Sequence, residues 1–316
     1  MQHHNVALNG IWNFVPDPFV EGEHCGWQSP EYDAIRWKEV TVPAIFDNCG
    51  SGMESYEGVG WFRRTLPIPK EWRGLYLRLH FDAVNYTARV YVNGTLVGDN
   101  ADGFLPFDCD ITDAVNYGGD NTIVVRTDNT RRSGEVPGLQ RGWRPFGGIL
   151  RTVSLVAGEP LHIGLTKLTA WPDGTFVLNA TIENAQAESA NITLDMVIED
   201  SGGTWRGAFM ETSVVPARQS REVIISGRVT GVTTWTPDNP TLYKARLRMR
   251  DTLNTPDRKE VVFGFRRIET RNGRLELNGQ PLLLLGFNRH EDSERAAMCV
   301  DVETTRQDLM RIKETG

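Results

Sequence analysis

Gly286-Phe287-Asn288-Arg289-His290-Glu291-Asp292 sets an amide, a guanidinium, an imidazole and two carboxylates side by side, directly after the apolar run Leu282 to Leu285. An imidazole hydrogen-bonds as donor or acceptor, an amide does both, a guanidinium only donates and a carboxylate only accepts. So much chemistry in five residues reads as an active site or as one part of one. A metal site at His290, Glu291 and Asp292 is not expected, because three adjacent side chains on a loop diverge. For the same reason Arg289, Glu291 and Asp292 do not all face one pocket, and an Arg289–carboxylate pair is expected to fix the loop. Neither Glu291 nor Asp292 is read as a catalytic carboxylate, since nothing in the chain pairs with either. The candidates for ligand contact here are His290, Asn288, Arg289 and Asp292.

The elements around the cluster must position it. Leu275-Glu276-Leu277-Asn278-Gly279-Gln280 reads as a small hairpin, and Pro281 leads into the four leucines. A continuous apolar run predicts a strand buried on both faces. Asp301 is the expected N-cap of a helix that turns Leu309 and Ile312 inward and ends at Gly316. Strand, polar loop and helix make one unit of a parallel α/β fold. In a barrel of such units, the loop after a strand faces the active site.

Upstream, the chain alternates with a period of two. Leu75, Leu77, Leu79 and Phe81 interleave with Tyr76, Arg78 and His80, which puts one face of a strand in a core. Ala88, Val90 and Val92 repeat the pattern before Asn93-Gly94, the pair favoured in two-residue hairpins. Ile123 to Thr127 supplies another strand. Residues 1–158 thus predict a β-sandwich, with most of Trp12, Trp27, Trp37, Trp61, Trp72 and Trp143 serving as packing. Gly158-Glu159-Pro160 reads as a linker. Residues 159–268 carry a second series: Phe176 to Ile182, Ile192 to Ile198, and Tyr243 to Met249. The last alternates with Lys244, Arg246, Arg248 and Arg250, read as the solvated outer face of a strand. This segment predicts an immunoglobulin-like sandwich, and residues 269–316 form a third segment of different character.

The 316 residues carry a formal net charge of −7, with no basic excess to neutralise nucleic-acid phosphates. No apolar run approaches the roughly 20 residues of a membrane span. The N-terminal residues lack the basic and apolar regions of a secretory signal, so a cytoplasmic location is expected. Cys25, Cys49, Cys109 and Cys299 match no metal-ligand spacing and read as free thiols. The sequons at Asn85, Asn93, Asn179 and Asn191 mean little without a secretion signal.

Seven segments, in order, resemble the N-terminal part of glycoside hydrolase family 2, the β-galactosidase, β-glucuronidase and β-mannosidase group. They are Leu8-Asn9-Gly10-Ile11-Trp12, Tyr56 to Arg64, Phe81 to Gly94 with Asp110-Ile111-Thr112, Phe146-Gly147-Gly148-Ile149-Leu150-Arg151, Asn239 to Tyr243, Phe263 to Arg266, and Gly286 to Asp292. The resemblance implies a mainly β chain. A jelly-roll, galactose-binding-like sandwich is followed by an immunoglobulin-like sandwich and then the first β/α unit of a truncated (β/α)8 barrel. It implies a retaining exo-glycosidase as parent, homo-oligomeric and without a cofactor, whose partner is a terminal β-linked sugar. Such enzymes use two glutamates about 5 Å apart. In the family both lie downstream in the barrel, so no catalytic residue is expected here and the chain alone is expected to be inactive.

The family's histidine matching His290 lies in the pocket for the terminal sugar. Relatives place an aspartate just before the Gly-Gly-Ile-x-Arg turn, where this chain has Gly142, with Arg141, Trp143 and Arg144 beside it. Trp143 is accordingly a weaker candidate contact. So is Glu57, near a position that contributes an asparagine in some relatives; a solvated charge is its simpler role. Two rival readings stand beside the enzyme: a non-catalytic carbohydrate-binding module whose sugar face is formed by Trp61, Trp143 and the charged loops, and a structural piece that packs on a separately encoded barrel or a neighbouring subunit.

Overall fold

The structure is a computed structural model. It describes residues 4–135, 138–139, 144, 146–252, 257–286, 288–293 and 296–315. The chain separates into two compact units. One joins residues 3–158 to residues 289–316; the other holds residues 159–288.

The first unit is a β-sandwich. Its four-stranded sheet runs His4–Ala7, Val153–Gly158, Tyr76–Phe81, Phe107–Asp110. Its six-stranded sheet runs Lys38–Val42, Gly10–Asp17, Val59–Pro67, Asp120–Asp128, Thr87–Val92, Thr95–Asn100. The period-two reading holds along Tyr76–Phe81: Leu77, Leu79 and Phe81 are fully buried and alternate with partly exposed Tyr76, Arg78 and His80. They meet Trp12, Phe14, Phe62, Val90, Val92, Ile123 and Val125 from the other sheet in one core. Full burial of side chains this large contributes about 1.5–3 kcal/mol each.

Asn93 and Gly94 take φ values of 49° and 84° at the hairpin Thr87–Val92 to Thr95–Asn100, as a two-residue turn with this twist requires. The Asn93 side chain also donates to Ala114 O and Asn121 Oδ1 and accepts from Thr122 N. It tolerates positive φ and knits the turn to its neighbours.

The tryptophans behave mostly as packing. Trp12, Trp37, Trp61 and Trp72 are buried. Trp61 forms a second cluster with Trp37, Tyr91 and Val124 on the far face of the six-stranded sheet, where Trp27 and Tyr32 cover it. Its Nε1 donates to buried Asp17 at 3.0 Å. At 0% exposure, Trp61 cannot belong to an open sugar face, which corrects that expectation. Trp143 lies outside the described residues.

The second unit packs two antiparallel sheets. One runs Leu161–Ala170, Thr175–Asn184, Gln219–Arg228; the other runs Trp205–Val215, Ala190–Asp200, Tyr243–Asp251, Asp257–Phe263. Three strands facing four is the strand count of a constant-type immunoglobulin domain. The anticipated alternating residues form its core. Lys244, Arg246 and Arg250 lie outward in ion pairs with Glu260, Glu199 and Asp195. A small meander, Ile268–Arg271, Arg274–Leu277, Gln280–Pro281, includes the hairpin expected over Leu275–Gln280.

The four leucines depart from expectation. Strand pairing stops at Pro281, and Leu283, Leu284 and Leu285 are 79%, 71% and 87% exposed. Apolar composition alone does not make a strand; a parallel strand exists by pairing with its neighbours, and beyond Leu282, whose N donates to Leu275 O at 2.8 Å, no strand among the described residues pairs with this run. The helix forms over Val302–Glu314, and Asp301 Oδ1 caps it by accepting from Thr304 N at 2.7 Å. It buries no side chain: Leu309 is exposed and Ile312 only half-buried. The capping chemistry is local and needs no partner, whereas inward packing does. Among the described residues, no helix is long and apolar enough to cross a membrane.

Candidate substrate-binding site

The loop after Asn288 is built around one guanidinium. Arg289 donates from Nε and Nη2 to Asp308 Oδ2 at 3.0 and 2.7 Å, and from Nη1 to Glu291 Oε1 at 3.2 Å. Asp308 lies on the helix Val302–Glu314, so Arg289 ties loop to helix. Glu291 in turn accepts from Arg151 Nη2. The carboxylate partner expected for Arg289 is thus present twice. Asp308, nineteen residues away, could not be found from periodicity.

Arg151 ends the turn Phe146-Gly147-Gly148-Ile149-Leu150-Arg151. Gly148 and Ile149 pair with Ala44–Ile45 on one side and Val84–Asn85 on the other. Gly148 has φ 135°, and a Cβ there would stand 2.2 Å from Ala44 O, so only glycine fits. Below the loop, Ala297, Met298 and Cys299, like Phe146, pack on Ile45, Ala83 and Leu150. Ser293 and Ala297 exchange backbone hydrogen bonds of 3.0 and 2.8 Å, closing the loop.

Burial pushes the Cys299 thiol up to about 11 despite Arg151 nearby, and pushes Cys49 up to about 12. Both are space-filling thiols, poorly suited as nucleophiles. Among the described residues, no group of three His, Cys, Asp or Glu side chains is placed to hold a metal ion.

With Arg289 half-buried in its ion pairs, His290 and Asp292 are exposed on the loop, as is Asn288. An imidazole and a carboxylate on a loop clamped at two points can hydrogen-bond hydroxyl groups with little ordering cost.

Glu57 sits elsewhere. Arg131 holds it through Nε and Nη2 at 3.1 and 2.7 Å. Buried Asn129 anchors the flanking backbone, accepting from Gly58 N at 2.9 Å and donating to Tyr56 O at 3.2 Å. No hydrogen bond or ion pair joins Glu57 to the 288–293 loop among the described residues. Nearby, Arg144 pairs with Asp47 and lies over the Phe146 ring at 5.0 Å. Burial alone would raise the Asp128 carboxyl, but hydrogen bonds from Thr130 and Arg132 outweigh it and hold it below the usual carboxylate range. Arg141, Gly142 and Trp143 lie outside the described residues.

Comparison with known proteins covers nearly the whole chain. Residues 7–159 match the family model described as glycosyl hydrolases family 2, sugar binding domain. Residues 162–266 match that of glycosyl hydrolases family 2, and residues 268–316 that of its TIM barrel domain. A β-galactosidase of Thermoanaerobacter pseudethanolicus is 30% identical over 301 residues, covering 90% of this chain and 38% of the relative. A β-glucuronidase of Formosa agariphila is 26% identical, covering 88% of this chain and 32% of the relative. Among solved structures, a β-glucuronidase of Bacteroides uniformis superposes with a TM-score of 0.87 at 25% identity, over all of this chain and 39% of that one. The chain thus spans about a third to two fifths of the length of these relatives.

Proposed function

The chain belongs to glycosyl hydrolase family 2 and corresponds to the N-terminal part of its members, and on that premise we propose that it is the sugar-binding and immunoglobulin-like portion of a retaining β-glycosidase. The parent enzyme removes terminal β-linked sugars, and His290 is the residue of this chain that contacts the terminal sugar. What supports this most is the clamp on the loop: Asp308 and Arg151 immobilise Arg289 and Glu291 and leave the imidazole between them exposed. Asn288 and Asp292 flank it as further contacts.

Retaining hydrolysis needs a carboxylic acid and a carboxylate nucleophile about 5 Å apart on either side of the glycosidic bond. Glu291 is occupied by two guanidiniums and Glu57 by Arg131. The catalytic pair therefore comes from barrel sequence beyond these 316 residues, and this chain alone does not turn over substrate. Purified chain is assayed on aryl β-galactoside, β-glucuronide and β-mannoside. No turnover is expected on any of them; turnover abolished by Glu291→Gln or Asp292→Asn would overturn the proposal.

A further inference from the structure

The outer face of the four-stranded immunoglobulin-like sheet carries a dense charge pattern. Lys244, Arg246, Arg248 and Arg250 project from one strand and Arg258 from the next, against the carboxylates Asp195, Glu199 and Glu260. Three of the cations are matched: Lys244 to Glu260 at 3.1 Å, Arg246 to Glu199 at 2.9 Å, and Arg250 to Asp195 at 2.8 Å. Arg248 and Arg258 are not, and they stand directly opposite each other in the strand register. Asp195 faces Arg248 across the other strand, but its carboxylate is taken by Arg250. The intervening sequence Leu253-Asn254-Thr255-Pro256 carries no charge. Directly opposed side chains have Cβ atoms about 5 Å apart, and like charges so placed destabilise a sheet. Two adjacent, exposed guanidiniums without a carboxylate among the described residues are thus a local positive centre in a chain of net charge −7.

The pair lines a groove of about 680 Å³ together with the apolar Val197, Ala208 and Met210, and the groove's two carboxylates, Asp195 and Glu199, are paired with Arg250 and Arg246. Met210 is 60% exposed there. A neighbouring hollow of about 450 Å³ on the same face adds the hydroxyls of Thr193 and Thr212. An apolar floor, hydroxyl partners and a two-guanidinium fork fit a pyranose that carries an oxyanion, because guanidiniums bind carboxylate and sulfate oxygens in parallel.

We infer that Arg248 and Arg258 form a non-catalytic binding site for an acidic glycan, an oligosaccharide bearing carboxylate or sulfate groups. The oxyanion requirement stands on the arginine pair; the glycan rests on the glycosidase reading above. The site would hold a charged polysaccharide to the immunoglobulin-like unit.

Calorimetry on the full chain tests this with a hexuronic-acid oligomer, a sulfated oligosaccharide of equal length, a neutral galacto-oligosaccharide and sodium sulfate. One or both acidic oligosaccharides should bind, and which of them binds identifies the anion. Binding should weaken with salt and fall about tenfold or more in each of Arg248→Ser and Arg258→Ser, as loss of a charge-assisted hydrogen bond predicts. Both variants should melt no lower than the parent, since each relieves a like-charge contact, so lost binding cannot be lost folding. Four outcomes would overturn the site: no binding, equal binding by the variants, equal affinity for the neutral sugar, or binding of sodium sulfate alone. Arginine-dependent dimerisation by sedimentation would assign the face to a second copy of this chain instead. None of these outcomes bears on the turnover assay, so the two readings fail separately.

Discussion

Replacing Arg289 by Ala should loosen the 289–315 segment while leaving both sandwiches folded. Arg289 makes two hydrogen bonds to Asp308 at 3.0 and 2.7 Å, its side chain 18% exposed and that of Asp308 36%. Exposed ion pairs contribute roughly 0.2–1 kcal/mol and hydrogen bonds to charged groups about 1.5–3 kcal/mol. A half-buried, two-pronged pair with one wet partner falls between, at about 1–1.5 kcal/mol. That corresponds to a roughly 5- to 12-fold faster local opening.

Native-state hydrogen exchange reads it directly, on the helix amides from Arg306 to Ile312 in the parent chain, Arg289→Ala, Asp308→Ala and the double variant. The cycle isolates the pair from the helix's own propensity. Leu283 to Leu285 serve as the unprotected reference and the buried strand Thr175–Asn184 as the protected one. A coupling below about 0.3 kcal/mol, within the additivity expected of independent sites, would refute the clamp.

Two further outcomes follow. Asp128 has a depressed folded pKa, so its stabilising contribution is fully present above its unfolded value near about 3.9 and is lost as pH falls through the folded value. Denaturant titrations between about pH 5 and pH 2 should show Asp128→Asn with a shallower loss of stability than the parent, and parallel curves would refute this. Of the four thiols, Cys25 is exposed, whereas burial pushes Cys49 and Cys109 up to about 12 and Cys299 up to about 11. At pH 8 a thiol reagent should label Cys25 rapidly and the other three only on unfolding; fast labelling of Cys299 would show that its packing on Leu150 is absent.

The sandwiches were legible because their signals are local and redundant. Leu77, Leu79 and Phe81 announce a face by alternation, Asn93-Gly94 a turn by backbone preference, and Asp301 a helix start by its side-chain reach. Leu282 to Leu285 misled because their reading as a strand assumed neighbours that composition cannot supply. Trp61 was a candidate for stacking only until its place beneath Trp27 and Tyr32 was visible. In the site, residue types were readable and partners were not. That Arg289 would take a carboxylate follows from charge, but Asp308 and the tie from Glu291 to Arg151 depend on how distant segments fold together. His290 stood out in sequence for its chemistry; what the structure adds is how its neighbours are held.

The tie between Arg151 and Glu291 has a consequence for recombination. A chimera that took its first 158 residues from one relative and the remainder from another would bring together a turn and a loop selected apart. An unmatched Arg151 or Glu291 would leave a charge at the seam, and Arg289 would then have to share its two carboxylates differently. Crossovers placed between Arg151 and Glu291 should succeed when both residues are inherited in matching form, and otherwise should yield proteins whose halves fold but whose 289–293 loop is set wrongly.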